Sequence, residues 1–141
     1  ITERPDLYAV AIAEVGMTNA LRSEITPNGP NQIPEIGTLK NEEDTKNLLE
    51  MDAQSKVKEG VKYPAVIIRT GMNDSRVEPW ESGKFAAILQ KDSASEKPVL
   101  LYVNYENGHF TSDFDVIFKE YADIYSFALW QVGHPKFQPV K

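Results

Sequence analysis

Apolar residues gather in three dense runs along the chain, separated by stretches that are polar or rich in turn formers. The first run, Leu7 to Val15 (LYAVAIAEV), is nearly continuous and closed by Gly16. Such continuity predicts a strand buried on both faces, as inside a parallel sheet. Thr26 to Gly37 (TPNGPNQIPEIG) is dense in Pro, Asn and Gly and reads as loop. Asn41, followed by Asp44, predicts a helix start, with Glu42 and Glu43 favourable in its first turn. That helix runs to about Met51, with Leu48 and Leu49 turned inward. Tyr63 to Thr70 is the second predicted strand and Pro98 to Val103 (PVLLYV) the third. Between them Pro79 suits a first helical position, and Phe85, Ile88 and Leu89 supply an inner face. In the last helix, Ser112 and Asp115 resemble a capping box. Ile117, Tyr121, Ile124 and Ala128 then recur on one stripe, with Phe118, Tyr125 and Leu129 beside them.

Strand, helix, strand, helix, strand, helix is the order of an α/β sheet with parallel strands and right-handed crossovers. No repeat or low-complexity segment interrupts it. Ligands of such sheets sit outside the carboxyl ends of the strands. Two polar loops fall there: Asn73–Arg76 after the second strand and Glu106–His109 after the third.

Composition narrows the classes. A chain of 141 residues with 41% hydrophobic and 26% charged residues suits one globular domain. Its formal charge of −6, with no basic stripe, argues against nucleic acid as a partner. No apolar run reaches membrane-spanning length. Cysteine is absent, which removes disulfides, thiolate nucleophiles and thiolate metal sites. The opening Ile1-Thr2-Glu3-Arg4-Pro5-Asp6 reads as the end of one helix turning into a strand, so the chain is expected to be part of something longer.

The stretch Gly71 to Trp80 (GMNDSRVEPW) puts more charge after a buried strand than a turn requires. Asp74 there and His109 after the next strand have the order of the last two members of a Ser, Asp, His set. A serine hydroxyl needs a histidine to accept its proton, and a carboxylate to orient that histidine and stabilise the imidazolium. No serine lies in a Gly-x-Ser-x-Gly elbow; Ser82 precedes Gly83 but falls inside a helix. Spacing alone therefore leaves Asp74 as catalytic acid or loop cap, and Gly108-His109 as site or turn. Trp80 reads as half-buried packing and His134 as a solvated bystander. Glu42, Glu43 and Asp44 are better explained by a helix N-terminus than by a metal.

The stretch Tyr63 to Gln90 (YPAVIIRTGMNDSRVEPWESGKFAAILQ) resembles the prolyl oligopeptidase family of serine peptidases. Its marks are an Asp-x-Arg-Val-x-Pro loop between strand and helix, and a Lys-Phe-rich helix ending in Leu-Gln. Arg4-Pro5-Asp6-Leu7, Glu14-Val15-Gly16, Leu21-Arg22 and Asn107-Gly108-His109 extend the likeness over essentially the whole chain. The resemblance implies the carboxyl-terminal portion of an α/β-hydrolase sheet, about three parallel strands with flanking helices. It implies Asp74 as triad acid, His109 as general base and Arg76 as the arginine that holds a substrate carbonyl. The serine and one oxyanion donor would lie upstream of Ile1, with a β-propeller gating access. No cofactor or metal is implied. Two departures stand out. Gln32 falls near the place of a tryptophan that stacks on the substrate proline, and Phe110 stands where a glycine is common.

These readings give one partial peptidase domain over residues 1–141. It would act on peptides in the full-length enzyme and be inactive alone. Removing the neighbour of Leu7–Val15 would bare nine residues, about 30 Å of edge, through which copies could pair or swap elements. The competing class is a non-catalytic α/β binding or interaction module, such as a receiver-like or ligand-binding half-domain. A receiver wants an acidic cluster after its first strand and a lysine after its last. Only Glu14 meets the first demand, and Asn104 to Phe110 has no lysine. A naturally short chain that acts as a partner is the third reading.

Overall fold

The computed structural model describes residues 1–140. Three strands, β1 (Val10–Glu14), β2 (Ala65–Gly71) and β3 (Val99–Asn104), form one parallel sheet in that order. Helices α1 (Ala20–Ser23), α2 (Gly29–Ile36) and α3 (Glu42–Met51) connect β1 to β2. Helix α4 (Pro79–Asp92) connects β2 to β3, and α5 (Phe114–Gln131) follows β3.

Every residue of β2 is buried, because it is the central strand and both its faces are covered. Side chains alternate across a strand, so Val66 and Ile68 point one way and Ala65 and Ile67 the other. The first pair packs with Tyr63, Phe85, Ala86 and Leu89, under α4. The second packs with Ile124 and Phe127, under α5. The result is helix, sheet, helix, with β2 as the spine.

Several expectations change in detail. The first strand is shorter than Leu7–Val15: Pro5–Leu7 forms a 3-10 turn, and β1 is only partly buried. It pairs with β2 on one side alone, so full burial is not available to it. The segment expected to be loop contains α2. Pro30 sits in the first turn of α2, where a fixed φ helps and a missing N–H costs nothing. A Cβ on Gly29 would lie 2.4 Å from the carbonyl oxygens of Ser23 and Glu24, so only glycine lets α2 start this close to α1. Leu49 is half exposed while Leu48 is fully buried.

Helix α3 begins as expected, with the Asn41 side chain accepting from the N–H groups of Glu43 and Asp44. The cap of α5 is Asp113 rather than Ser112. The inner stripe of α5 is also rotated. Ile124 faces the sheet as expected, but Glu120 and Phe127 join it, while Phe118, Tyr121 and Tyr125 are exposed.

Candidate active site

The two polar loops meet at the carboxyl ends of β2 and β3. Asp74 uses its oxygens separately. Oδ1 accepts from the N–H groups of Arg76 at 2.8 Å and Val77 at 3.0 Å, closing the turn before α4. Oδ2 lies 2.8 Å from Nδ1 of His109. The Asp74 side chain has no exposed surface, and that of His109 is 18% exposed. An ionised carboxylate only accepts, so this contact places a proton on Nδ1 and leaves Nε2 as the basic nitrogen. Asp74 thus closes the loop and holds the histidine, with one oxygen for each task.

Glycines let the loops approach. A Cβ on Gly71 would fall 2.2 Å from the carbonyl oxygen of Gly108, and one on Gly108 would fall 2.7 Å from that of Asn73. The gap is then stitched by hydrogen bonds. The Met72 N–H donates to the Asn104 carbonyl at 2.7 Å, and the Asn73 N–H to that of Asn107 at 3.2 Å. Nδ2 of Asn73 donates to the carbonyls of Tyr105 and Glu106.

A buried ionic network supports the histidine loop from below, and sequence reading missed it. Arg69 donates to Oε2 of Glu120 from Nε at 2.9 Å and from Nη2 at 2.7 Å. Oε1 of Glu120 accepts from Nδ2 of Asn104 at 2.7 Å. Oδ1 of Asn104 in turn accepts from the N–H groups of Glu106 and Asn107. Two signals were available: an arginine inside the apolar run AVIIRTG, and an acid three residues after Ile117 and four before Ile124.

Arg76 forms no ion pair among the described residues, with Asp74 and Glu78 included. Its guanidinium carbon lies 5.2 Å from the centroid of the Phe110 ring, and its carbonyl accepts from Nδ2 of Asn28 at 3.1 Å. Trp80 is half-buried with Nζ of Lys84 over its ring at 4.6 Å. His134 is exposed at the start of a 3-10 turn.

Behind the Asp74 loop, Glu81 is buried and its Oε2 accepts from the N–H groups of Thr18 at 3.0 Å and Asn19 at 3.1 Å. Burial pushes its carboxyl above the usual carboxylate range, partly opposed by those two donors. It ties the β1–α1 connection to the first turn of α4. Val15, just past β1, has φ of 43°, a strained conformation for a β-branched residue.

A cavity of about 170 Å³ adjoins the pair, lined by His109, Phe110 and Thr111 together with Glu14, Arg69 and Glu120. A larger open depression of about 640 Å³, lined by Lys62, Lys97 and Trp130 among others, lies near the amino ends of the strands, away from the acid–base pair. Among the described residues no three His, Cys, Asp or Glu side chains converge on a metal-sized space. None of the eight serines hydrogen-bonds to His109 among the described residues.

Residues 1–135 match the sequence profile of the prolyl oligopeptidase family. The chain belongs to the prolyl oligopeptidase family. The prolyl endopeptidase of Elizabethkingia miricola is 35% identical over 138 residues, which are 94% of this chain and 19% of that protein. A solved prolyl endopeptidase superposes with a TM-score of 0.86 and 30% identity, over 93% of this chain and 19% of that one. Oligopeptidase B from Leishmania major does so with a TM-score of 0.86 and 25% identity, over 92% of this chain and 18% of that one. The chain spans about a fifth of the length of these relatives. Its three parallel strands and flanking helices match the α/β-hydrolase domain of the prolyl oligopeptidases.

Proposed function

We propose that these residues are the carboxyl-terminal part of a serine peptidase domain, with Asp74 as the triad acid and His109 as the general base. The observation that carries this reading is the 2.8 Å contact between Asp74 Oδ2 and His109 Nδ1 at the ends of neighbouring parallel strands. In the reaction, Nε2 of His109 takes the proton of a serine hydroxyl as that oxygen attacks a peptide carbonyl. Asp74 holds the imidazole and stabilises the cation that forms. The same nitrogen returns the proton to the leaving amine, and water then releases the acyl group by the reverse roles.

The serine and the oxyanion donor beside it come, in this reading, from residues outside these 141. The segment by itself therefore does not turn over peptides. Arg76 holds a carbonyl of the bound peptide, for which a planar guanidinium with fixed donors is suited. Its backbone is already fixed, its N–H by Asp74 and its carbonyl by Asn28, so its side chain projects from a rigid base. Gln32, beside the same carbonyl, offers no ring on which a proline could stack. Proline preference is accordingly not part of the proposal.

The test uses the full-length protein and a fluorogenic peptide that it cleaves. His109→Ala is expected to lower kcat by about 10⁴-fold or more, the scale at which triad members act. Unchanged turnover in that variant would leave the Asp74–His109 pair a structural link between two loops.

A further inference from the structure

We infer that Phe110 is a positioning residue for the arginine of this site, setting the direction of the Arg76 guanidinium towards a substrate carbonyl. The inference rests on the peptidase reading of Asp74, His109 and Arg76 given above. Arg76 is exposed and has no carboxylate partner among the described residues. Its guanidinium lies instead against the Phe110 ring, 5.2 Å from the centroid. The ring carries negative charge density on its faces and holds a cation there even at an exposed site.

Phe110 has little other reason to be where it is. It is 69% exposed, so core packing does not account for its place. Its ring meets that of His109 edge to face, with centroids 4.4 Å apart. Phe110 therefore stands between the two groups that the mechanism requires, in contact with both. The His109 ring is already held by Asp74 through a hydrogen bond, whereas among the described residues the guanidinium meets only the Phe110 ring. Losing the aromatic face should accordingly be felt at Arg76 and not at the base.

That asymmetry gives a specific kinetic signature. A guanidinium that grips a carbonyl in substrate and transition state alike contributes uniform binding, which appears in KM and leaves kcat unchanged. An exposed cation–π contact corresponds to about a two- to fivefold effect. Phe110→Leu, which keeps apolar bulk and discards the π face, should raise KM by that factor with kcat little changed. Phe110→Tyr keeps the face and should retain the wild-type KM.

The experiment is a double-mutant cycle in the full-length protein, joining Phe110→Leu with Arg76→Ala and using a fluorogenic peptide that the wild type cleaves. If Phe110 acts through Arg76, the KM effect of Phe110→Leu disappears in the Arg76→Ala background. An equal effect in both backgrounds, no effect in either, or a loss confined to kcat would overturn the inference. His109→Ala serves as the control. Turnover lost there, with KM unchanged by Phe110→Leu, defeats this inference and leaves the peptidase reading standing. Turnover that survives His109→Ala defeats both.

Discussion

Asp74 does two jobs with two oxygens, and substitution can separate them. Asn at position 74 keeps a carbonyl oxygen for the N–H groups of Arg76 and Val77, so the turn should survive. Its amide nitrogen then faces Nδ1 of His109 as a donor, which favours the wrong imidazole tautomer. Asp74→Asn in the full-length protein is expected to lower kcat by about 10⁴-fold while chemical denaturation shows a stability close to wild type. Equal losses of activity and stability would mean that the carboxylate matters only for the turn. Glu81 makes a different prediction, about pH. Its folded-state pKa is raised by burial above an ordinary 4.5, so the folded protein binds this proton more tightly than the unfolded chain. The stability it contributes is complete below about 4.5 and is lost as pH rises through the raised value. Glu81→Gln retains an acceptor for Thr18 and Asn19 but does not titrate. The stability of wild type relative to Glu81→Gln should therefore increase as pH falls from 7 towards 5, measured by urea unfolding at each pH. A constant or opposite difference would contradict it.

At the scale of elements, the site depends on two loops held closer than most side chains allow. Gly71→Ala places a methyl carbon against the Gly108 carbonyl and must push the histidine loop away from Asp74. The expected cost is about 1–3 kcal/mol of stability, with a larger loss of turnover than an equally destabilising change elsewhere. Glu120→Gln leaves Arg69 buried opposite a neutral amide; breaking buried pairs of this kind costs about 3–5 kcal/mol. Hydrogen exchange should then show the Glu106 and Asn107 amides opening first. These same elements mark what could be read in the sequence. The solid apolar run of β2, the Asn41 cap and the polar loops at strand ends were legible because each is a local pattern. The rotation of α5 was not. Two apolar stripes with helical spacing run along it, and the one that meets the sheet is fixed by contacts distant in sequence, Glu120 with Arg69 and Ile124 and Phe127 with Ala65 and Ile67. Helix α2 was hidden because Pro, Asn and Gly usually mark loops, while its first-turn proline and the contact at Gly29 make a short helix possible. The Asp74–His109 pairing lies between these cases. Order and location were visible, but the 2.8 Å contact depends on two glycines that match each other across 37 residues of chain.

On the scale of the whole segment, β1 has a neighbour on one side only among the described residues, and α5 carries Phe114, Phe118, Tyr121 and Tyr125 exposed at steps of four, three and four. Unpaired strand edges and aromatic stripes of this size invite partners. Produced alone, the 141 residues are expected to associate through the β1 edge, and light scattering of a monomer at high concentration would count against that. The deciding question is whether the protein containing this segment is a serine hydrolase. Fluorophosphonate labelling of a lysate from the source cells, followed by capture with an antibody to this segment, measures it in one step. A covalently labelled band much heavier than these 141 residues is expected, abolished by prior heat denaturation. A captured protein that takes no label while other hydrolases in the lysate do would contradict it, and Asp74 and His109 would then be a structural pair in a binding module.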